Sequence, residues 1–168
     1  MNIIHKIIWV FVIVLFGCNN AKETRPVETS QPGIQLSEIR LSGLDGQQVN
    51  LNDYKGKTLF INFWATWCKP CLEEMPTIQN AMELLKDDNI GFLFVSEETT
   101  EQIDQFRTGH NYNFNYVRVE NLPALNIMVL PTTFIFNPDG KLVFSEIGYR
   151  KWDDKSNIDM ILKIIKSK

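Results

Sequence analysis

Apolar runs separated by polar stretches predict the strands of the protein core. Residues 58–64 are largely apolar at both odd and even positions, which is typical of a central strand covered by helices on both faces. Residues 90–96 and 132–137 predict two further core strands, and residues 115–120 predict a shorter one. The pattern therefore predicts a buried sheet rather than a helical bundle.

Helical patterns follow two of these strands, and a third lies at the end of the chain. Residues 68–86 predict a long helix after the first strand, and residues 99–108 predict a second, with Thr99 or Thr100 as its N-cap. From Trp152 onward the spacing of apolar residues gives one face of a final helix. That face consists of Ile158, Ile161, Leu162 and Ile165.

Turn-forming residues predict two hairpins. Residues 34–41 and 47–51 could pair as strands around the turn at 43–46, which would place a β-hairpin at the N-terminal end of the domain. The sequence Asn-Pro-Asp-Gly at 137–140 is a second turn, and residues 141–147 predict the strand that follows it. The order of elements predicts an α/β domain with a central mixed sheet flanked by helices.

Length and charge exclude few functions. The chain has 168 residues and a net charge of -3, which suits one domain with a single core and a leader. Its basic residues form no stripe along a helix or strand, so the sequence does not predict a nucleic-acid-binding surface.

The first residues form a leader. His5 and Lys6 precede an apolar run at 7–16, which is too short for a bilayer-spanning helix of ~20 residues but typical of a secretory signal. The run ends in Leu-Phe-Gly-Cys at 15–18, which resembles the lipobox of bacterial lipoproteins. That resemblance implies lipid attachment at Cys18; an uncleaved signal anchor and an ordinary signal peptide are the alternatives.

The domain boundaries follow from this leader. Residues 1–18 are the signal peptide ending at the lipobox cysteine, and residues 19–33 are polar and contain two prolines, which predicts a flexible tether. Residues 34–168 are the folded domain. An exported chain lies in a compartment that permits disulfides.

Two of the three cysteines, Cys68 and Cys71, are three positions apart at the predicted junction of strand and helix. Unpaired N–H groups and the dipole at a helix N-terminus favour a thiolate there, and in such motifs the cysteine pKa falls from ~8.5 to roughly 3.5–7.5. A disulfide over so short a loop would constrain the unfolded chain little. No second C-x-x-C is present, and neither histidine has ligand spacing to the pair, which argues against zinc.

Residues 63–71, Phe-Trp-Ala-Thr-Trp-Cys-Lys-Pro-Cys, resemble the thioredoxin family and, within it, the membrane-tethered TlpA/ResA-like thiol–disulfide oxidoreductases. The resemblance extends from about residue 34 to the C-terminus. It implies a thioredoxin fold with a redoxin-like N-terminal hairpin, and exchange of disulfides with proteins outside the cytoplasm. It also implies a reducing role, often in cytochrome c maturation, with electrons from a membrane thiol carrier and no cofactor besides the cysteine pair.

The order of the two cysteines predicts their roles. Cys68 is expected to be the solvent-exposed sulfur that attacks a substrate disulfide, and Cys71 the deeper sulfur that resolves the mixed disulfide. Lys69 adds positive charge that favours the thiolate, and Pro70 is tolerated early in a helix. Both are expected to tune the redox properties of the pair.

Glu74 is predicted to be buried, because it lies on the inward stripe of the helix, three residues past Cys71 and on the same side. A buried carboxylate has a raised pKa and can exchange protons near neutral pH. In the resembled group a glutamate at this offset handles the proton of the deeper cysteine. Asn62 occupies a position where cytoplasmic thioredoxins usually place an aspartate, which leaves the acid–base role to Glu74; a purely structural hydrogen bond of Asn62 within the core is the alternative. A solvated Glu74 that only interacts with the helix dipole is the alternative.

Pro131 resembles the cis-proline that the family places opposite its cysteines. The resemblance implies that Leu130, the preceding residue, offers its backbone to substrate, and that the Leu130–Pro131 bond is cis. A trans proline that starts a strand is the alternative. Trp67 is expected at the rim that substrate meets, and Trp64 in the core.

Two other functions remain open from the sequence. The first is a thiol peroxidase, although Ala65 stands where a peroxidatic cysteine generally has a threonine or serine three residues before it, with Thr66 beside it. The second is a lipid-anchored binding module whose disulfide is inert, which a reduction potential far below about -300 mV would indicate.

Overall fold

A computed structural model describes residues 33–167 and places a six-stranded mixed sheet at the centre of this part of the chain. The order across the sheet is β1-β4-β3-β2-β5-β6. The strands are β1 (Leu41–Gly43), β2 (Thr58–Phe63), β3 (Ile90–Ser96), β4 (Tyr116–Val119), β5 (Thr132–Phe136) and β6 (Leu142–Ile147). The helices are α1 (Lys69–Leu84), α2 (Thr100–Gly109) and α3 (Lys155–Lys166).

Strand β2 occupies the interior of the sheet. It pairs in parallel with β3 and antiparallel with β5, and all six of its residues are buried. Strands β3 and β4 are parallel, whereas β6 and β1 pair antiparallel with β5 and β4. The predicted mixed sheet, including its core strand at 58–64, is therefore confirmed.

The sheet separates two hydrophobic clusters. Because neighbouring side chains of a strand point to opposite faces, Phe60 and Ile61 belong to different clusters. The Phe60 cluster includes residues of all three α-helices and the buried Trp64. The Ile61 cluster packs instead against short 3-10 helices at Leu36–Glu38, Leu51–Tyr54 and Leu122–Leu125.

Helix α2 begins at the predicted N-cap, and α3 buries the predicted apolar face. The side chain of Thr99 accepts a hydrogen bond from the N–H of Gln102, so Thr99 is the N-cap of α2. In α3 the residues Asn157 and Ile161 are buried, and Ile161 belongs to the Phe60 cluster. The predicted apolar face of the last helix is the face that packs on the sheet.

The N-terminal hairpin is much smaller than the sequence indicates. Of the predicted strand 34–41 only Leu41 lies in β1, and Leu36–Glu38 is a 3-10 helix. The returning segment forms two backbone hydrogen bonds with β1, and Ser42 pairs with Gln48 as an isolated bridge. The longer ladder of β1 is with β4, so a strand distant in sequence supplies its main pairing.

Within residues 33–167, no helix is both long and apolar enough to cross a bilayer. The predicted signal peptide, the predicted tether at 19–33 apart from its last residue, and Cys18 lie outside the described residues. These predictions therefore stay predictions.

Candidate active site

The two cysteines lie at the start of α1 and form a disulfide. Cys68 is the N-cap of the helix, and its Sγ accepts a hydrogen bond from the N–H of Cys71 at 3.3 Å. Pro70 lies in the first turn, where its missing N–H leaves no helical hydrogen bond unmade. The predicted position of the pair, between a buried strand and a helix, is confirmed.

Both sulfurs lie below the surface in this disulfide form. Only 4% of Cys68 and 2% of Cys71 is exposed, so the prediction that Cys68 would be solvent-exposed is wrong for this state. The N–H of Cys68 donates to the carbonyl of Ala65 at 3.1 Å. This turn brings Cys68 against the hydrophobic cluster and leaves the intervening Trp67 71% exposed.

Lys69 projects into solvent beside the disulfide. Its ammonium group lies 3.8 Å from a carboxylate oxygen of Glu73, one helical turn away, and both side chains are exposed. An exposed pair of this kind contributes little to stability. The lysine therefore offers positive charge near the helix start without being locked in place.

Glu74 is the acidic group of the site. It is fully buried, as predicted, and it shares the inner side of α1 with Cys71. The pKa of Glu74 is raised from 4.5 to about 7, mainly because burial disfavours the carboxylate and to a smaller extent because Glu146 lies nearby. Hydrogen bonds from the Arg150 main chain and from Asn62 lower the pKa and limit the rise, and the nearby Trp152 side chain also lowers it.

Asn62 connects Glu74 to the sheet. Its amide Nδ2 donates to Glu74 Oε1 at 2.8 Å and to Thr133 Oγ1 at 3.0 Å. Asn62 is 1% exposed, so these bonds satisfy a polar group that would otherwise be costly to bury. Strands β2 and β5 and helix α1 meet at this one amide.

Arg150, which the sequence does not single out, supplies the second partner of Glu74. Its main-chain N–H donates to Glu74 Oε2 at 2.8 Å. The guanidinium group forms an ion pair with Glu146 and donates from Nε to Asn157 Oδ1 at 2.8 Å. These contacts fix the segment between β6 and α3 over the buried carboxylate.

Two aromatic rings pack against the Arg150 guanidinium group. The Arg150 guanidinium carbon lies 5.2 Å from the ring centre of Phe144 and 5.5 Å from that of Trp152. Trp152 is fully buried, and its main-chain N–H donates to Thr77 Oγ1 at 3.1 Å. Its indole N–H makes no complete hydrogen bond in the described part of the chain, yet it is close enough to lower the pKa of Glu74.

The Leu130–Pro131 peptide bond is cis, as predicted. Pro131 is buried, whereas Leu130 is half-buried and packs against both hydrophobic clusters, including the one that contains the cysteines. The preceding residues Met128 and Val129 are 85% and 51% exposed. The site therefore has an apolar margin on this side as well as at Trp67.

No group of three or more histidine, cysteine or acidic side chains within residues 33–167 is arranged to hold a metal ion. This combination of a strand-to-helix disulfide, a cis-proline and a mixed sheet defines a thiol–disulfide oxidoreductase of thioredoxin fold.

The chain belongs to the AhpC/TSA family, whose model matches residues 32–145. It is similar to the thiol-disulfide oxidoreductase ResA of Bacillus subtilis, with 33% identity over 120 residues, which are 69% of this chain and 67% of the relative. The redox-active centre of this chain is the Cys68–Cys71 pair.

Solved structures agree with this assignment. A thiol:disulfide interchange protein from Bacteroides sp. is 25% identical, with a TM-score of 0.64 over 77% of this chain and 86% of the other. The exposed lipoprotein thioredoxin Etrx1 from Streptococcus pneumoniae is 27% identical, with a TM-score of 0.58 over 76% of this chain and 96% of the other. The thioredoxin fold predicted from the sequence is confirmed.

Proposed function

We propose that this chain reduces protein disulfides outside the cytoplasm while tethered to a membrane, with Cys68, Cys71 and Glu74 as its catalytic residues. The observation that carries the proposal is Glu74, a fully buried carboxylate whose pKa is raised to about 7 on the same side of α1 as Cys71. A resolving thiol must lose a proton before it can attack. Glu74 is the group placed to accept that proton near neutral pH.

The first step is attack by Cys68. In the reduced protein its thiolate attacks one sulfur of a substrate disulfide, forms a new S–S bond, and releases the other substrate sulfur as a thiolate. Amides at the start of α1 favour the anion, as the bond from the Cys71 N–H to Cys68 Sγ illustrates. Lys69 and Pro70 tune this step through charge and through the geometry of the first turn.

The second step is resolution by Cys71. Glu74 takes the proton of the Cys71 thiol, and the resulting thiolate attacks Cys68 Sγ. The mixed disulfide breaks, the second substrate sulfur leaves as a thiolate, and the Cys68–Cys71 disulfide forms. Two electrons pass to the substrate, and a membrane thiol carrier must then reduce the protein again.

Trp67, Leu130 and Pro131 are the proposed substrate contacts. Trp67 is exposed next to the disulfide, and Leu130 is half-buried beside the cluster that contains it. Both sulfurs are buried in the disulfide form, so we expect a substrate to fit closely against these residues when its disulfide reaches Cys68. An extended segment around the substrate cysteine suits such a site.

The tether is proposed to be a lipid on Cys18, in line with the similar lipoprotein thioredoxin Etrx1. Apocytochrome c is one candidate substrate, which the resemblance to the TlpA/ResA-like group implies. Cells producing the full chain or its Cys18→Ala variant test the anchor. The full chain should fractionate with membranes and carry a lipid by mass spectrometry. Equal membrane retention of an unlipidated Cys18→Ala variant would show that the anchor is different.

Cysteine variants test the reaction itself. Cys68→Ser should abolish reduction of insulin disulfides, whereas Cys71→Ser should accumulate mixed disulfides that gel electrophoresis without reductant detects. Insulin reduction by Cys68→Ser at the wild-type rate would disprove the assignment of Cys68 as the attacking sulfur. Trapped partners from Cys71→Ser cells, identified by mass spectrometry, would name the substrate.

A thiol peroxidase is the second candidate, because the AhpC/TSA model matches the domain. The local geometry gives it less support. The Thr66 hydroxyl donates its proton to Glu98 at 2.6 Å and is therefore not free to donate to Cys68. Ala65 offers no hydroxyl. Consumption of hydrogen peroxide with and without a thiol donor separates the two activities; rapid turnover of peroxide would favour the peroxidase.

A further inference from the structure

A second buried acid, Glu98, holds the turn that carries the cysteine motif. Its Oε2 accepts a hydrogen bond from the main-chain N–H of Thr66 at 2.7 Å, and its Oε1 accepts one from Thr66 Oγ1 at 2.6 Å. Glu98 is 8% exposed and lies between β3 and α2. Both of its oxygens are therefore bound to one residue, which is two positions before Cys68.

The position of Glu98 is itself fixed by neighbours. Ser96 Oγ donates to Glu98 Oε2 and accepts from the Glu98 N–H, both at 3.2 Å. Arg118 of β4 donates from Nε to the Glu98 carbonyl at 2.8 Å. Hydrogen bonds to β3 and β4 thus fix the main chain of Glu98, and its side chain in turn holds Thr66.

Thr66 is the second residue of the turn Ala65–Cys68, which the bond from the Cys68 N–H to the Ala65 carbonyl closes at 3.1 Å. The third residue is the exposed Trp67, and the fourth is Cys68, the N-cap of α1. The two hydrogen bonds from Thr66 to Glu98 therefore set the direction in which the chain enters α1. They also set where the Cys68 sulfur lies relative to the helix amides.

We propose that Glu98 is a positioning residue for Cys68, and that it acts by holding Thr66 through two hydrogen bonds. Small displacements of a reacting atom are costly, and about 1 Å can reduce a rate ~100-fold. The helix amides stabilise the thiolate only when the sulfur lies against them. Loss of the two Glu98–Thr66 hydrogen bonds should therefore both slow disulfide exchange and disfavour the Cys68 thiolate.

The geometry distinguishes a positioning role from a role of the negative charge. In Glu98→Gln the amide oxygen can accept from the Thr66 N–H, and the amide nitrogen can donate to Thr66 Oγ1, because a hydroxyl is both donor and acceptor. This variant removes the charge and keeps both contacts. Glu98→Ala removes charge and contacts alike.

The test compares full-length Glu98→Ala, Glu98→Gln and Ser96→Ala with the wild-type protein. Ser96→Ala is the matched control, because it removes the two longer hydrogen bonds between Ser96 and Glu98 but leaves the Arg118 bond and both Thr66 contacts. Two quantities are measured. The first is the rate of insulin reduction. The second is the rate at which iodoacetamide alkylates Cys68 in the reduced protein between pH 4 and 9, followed by mass spectrometry of the Cys68 peptide. The second reports the thiolate directly.

Glu98→Ala should reduce insulin at least ~10-fold more slowly and should move the midpoint of Cys68 alkylation to higher pH, as expected for a displaced sulfur. Glu98→Gln and Ser96→Ala should stay within about threefold of wild type in rate. Wild-type rates and an unshifted midpoint in Glu98→Ala would overturn the proposal. Equal loss in Glu98→Gln and Glu98→Ala would also overturn it, because the charge would then be responsible.

Thr66→Val keeps the test decisive if Glu98→Ala fails to fold. It removes only the hydroxyl contact and preserves the shape of the side chain and the main-chain bond to Glu98. A smaller loss of rate, about threefold, together with a raised alkylation midpoint is expected. A folded Thr66→Val protein with unchanged rate and midpoint would contradict the proposal.

Discussion

Asn62 and Glu74 share a buried hydrogen bond of 2.8 Å that joins the central strand β2 to the helix carrying both cysteines. Neither residue is more than 1% exposed. A neutral amide and a carboxyl group therefore face each other out of water, and the amide stabilises the charged form of its partner. The proton affinity of Glu74 depends on this contact, which makes it a direct target for experiment.

Replacing Asn62 by alanine should raise the pKa of Glu74 above about 7, because the charged form loses a donor. The free energy of unfolding should fall by about 1–3 kcal/mol, since buried partners are left unsatisfied. Carbon-13 NMR of the Glu74 carboxyl across pH measures the first effect. Thr133→Val is the control: it removes the other Asn62 contact and should leave the Glu74 titration nearly in place.

Glu74→Gln should slow resolution of the mixed disulfide much more than its formation. The glutamine side chain cannot accept the Cys71 proton, whereas Cys68 attacks without it, so mixed disulfide should accumulate in the variant. A loss of about 10²–10⁴-fold is typical for removal of a general base. Stopped-flow kinetics with a disulfide peptide resolve the two steps. If both slow equally, Glu74 is not the base of the second step.

Protein stability should depend on the pH at which Glu74 titrates. Its pKa is 4.5 in the unfolded chain and about 7 in the fold, so the folded protein binds more protons between those values. The free energy of unfolding should therefore fall as pH rises from 4.5 through about 7, by about 3 kcal/mol from this group. Below a pH of about 4.5 the contribution is fully present.

Urea denaturation of the disulfide form at pH 5, 6, 7 and 8 measures this dependence. Glu74→Gln should show a flatter profile than the wild type over the same range. The change in slope is the decisive quantity, because the variant also loses one acceptor and shifts in absolute stability. Parallel profiles would mean that the pKa of Glu74 is not raised in the folded protein.

Trp67→Ala should impair substrate binding without destabilising the fold. The side chain is 71% exposed, so the free energy of unfolding should change by less than about 0.5 kcal/mol. The KM for a protein disulfide should rise, while reduction of the Cys68–Cys71 disulfide by dithiothreitol stays near the wild-type rate. Leu84→Ala, at the far end of α1 and 61% exposed, is the matched control and should leave KM unchanged.

The parts of the fold that the sequence predicts well depend on local patterns. Strand β3 has the predicted bounds, and Thr99 caps α2 through its own side chain. The N-terminal hairpin is the weakest prediction, because β1 takes its longer ladder from β4, more than 70 residues away. No local pattern at 34–41 reports a partner that distant.

In the active site, too, local positions are predicted well and distant partners are not. The positions of Cys68, Cys71 and the buried Glu74 follow from helical spacing, but the partners of these groups do not. Arg150 lies 76 residues from Glu74, and Glu98 lies 32 residues from Thr66. The low exposure of Cys68 also escapes prediction, because packing by surrounding segments, rather than its place on the helix, determines it.

The hydrogen bond from Arg150 to Glu74 comes from the main chain. Every residue type except proline would supply that donor, so substitutions at position 150 leave it available. The amide of Asn62 belongs to a side chain, and one substitution removes it. The main-chain donor to Glu74 therefore depends only on the path of the backbone, whereas the side-chain donor depends on the residue at position 62. Relatives with this fold could adjust their working pH there while keeping the cysteine motif untouched.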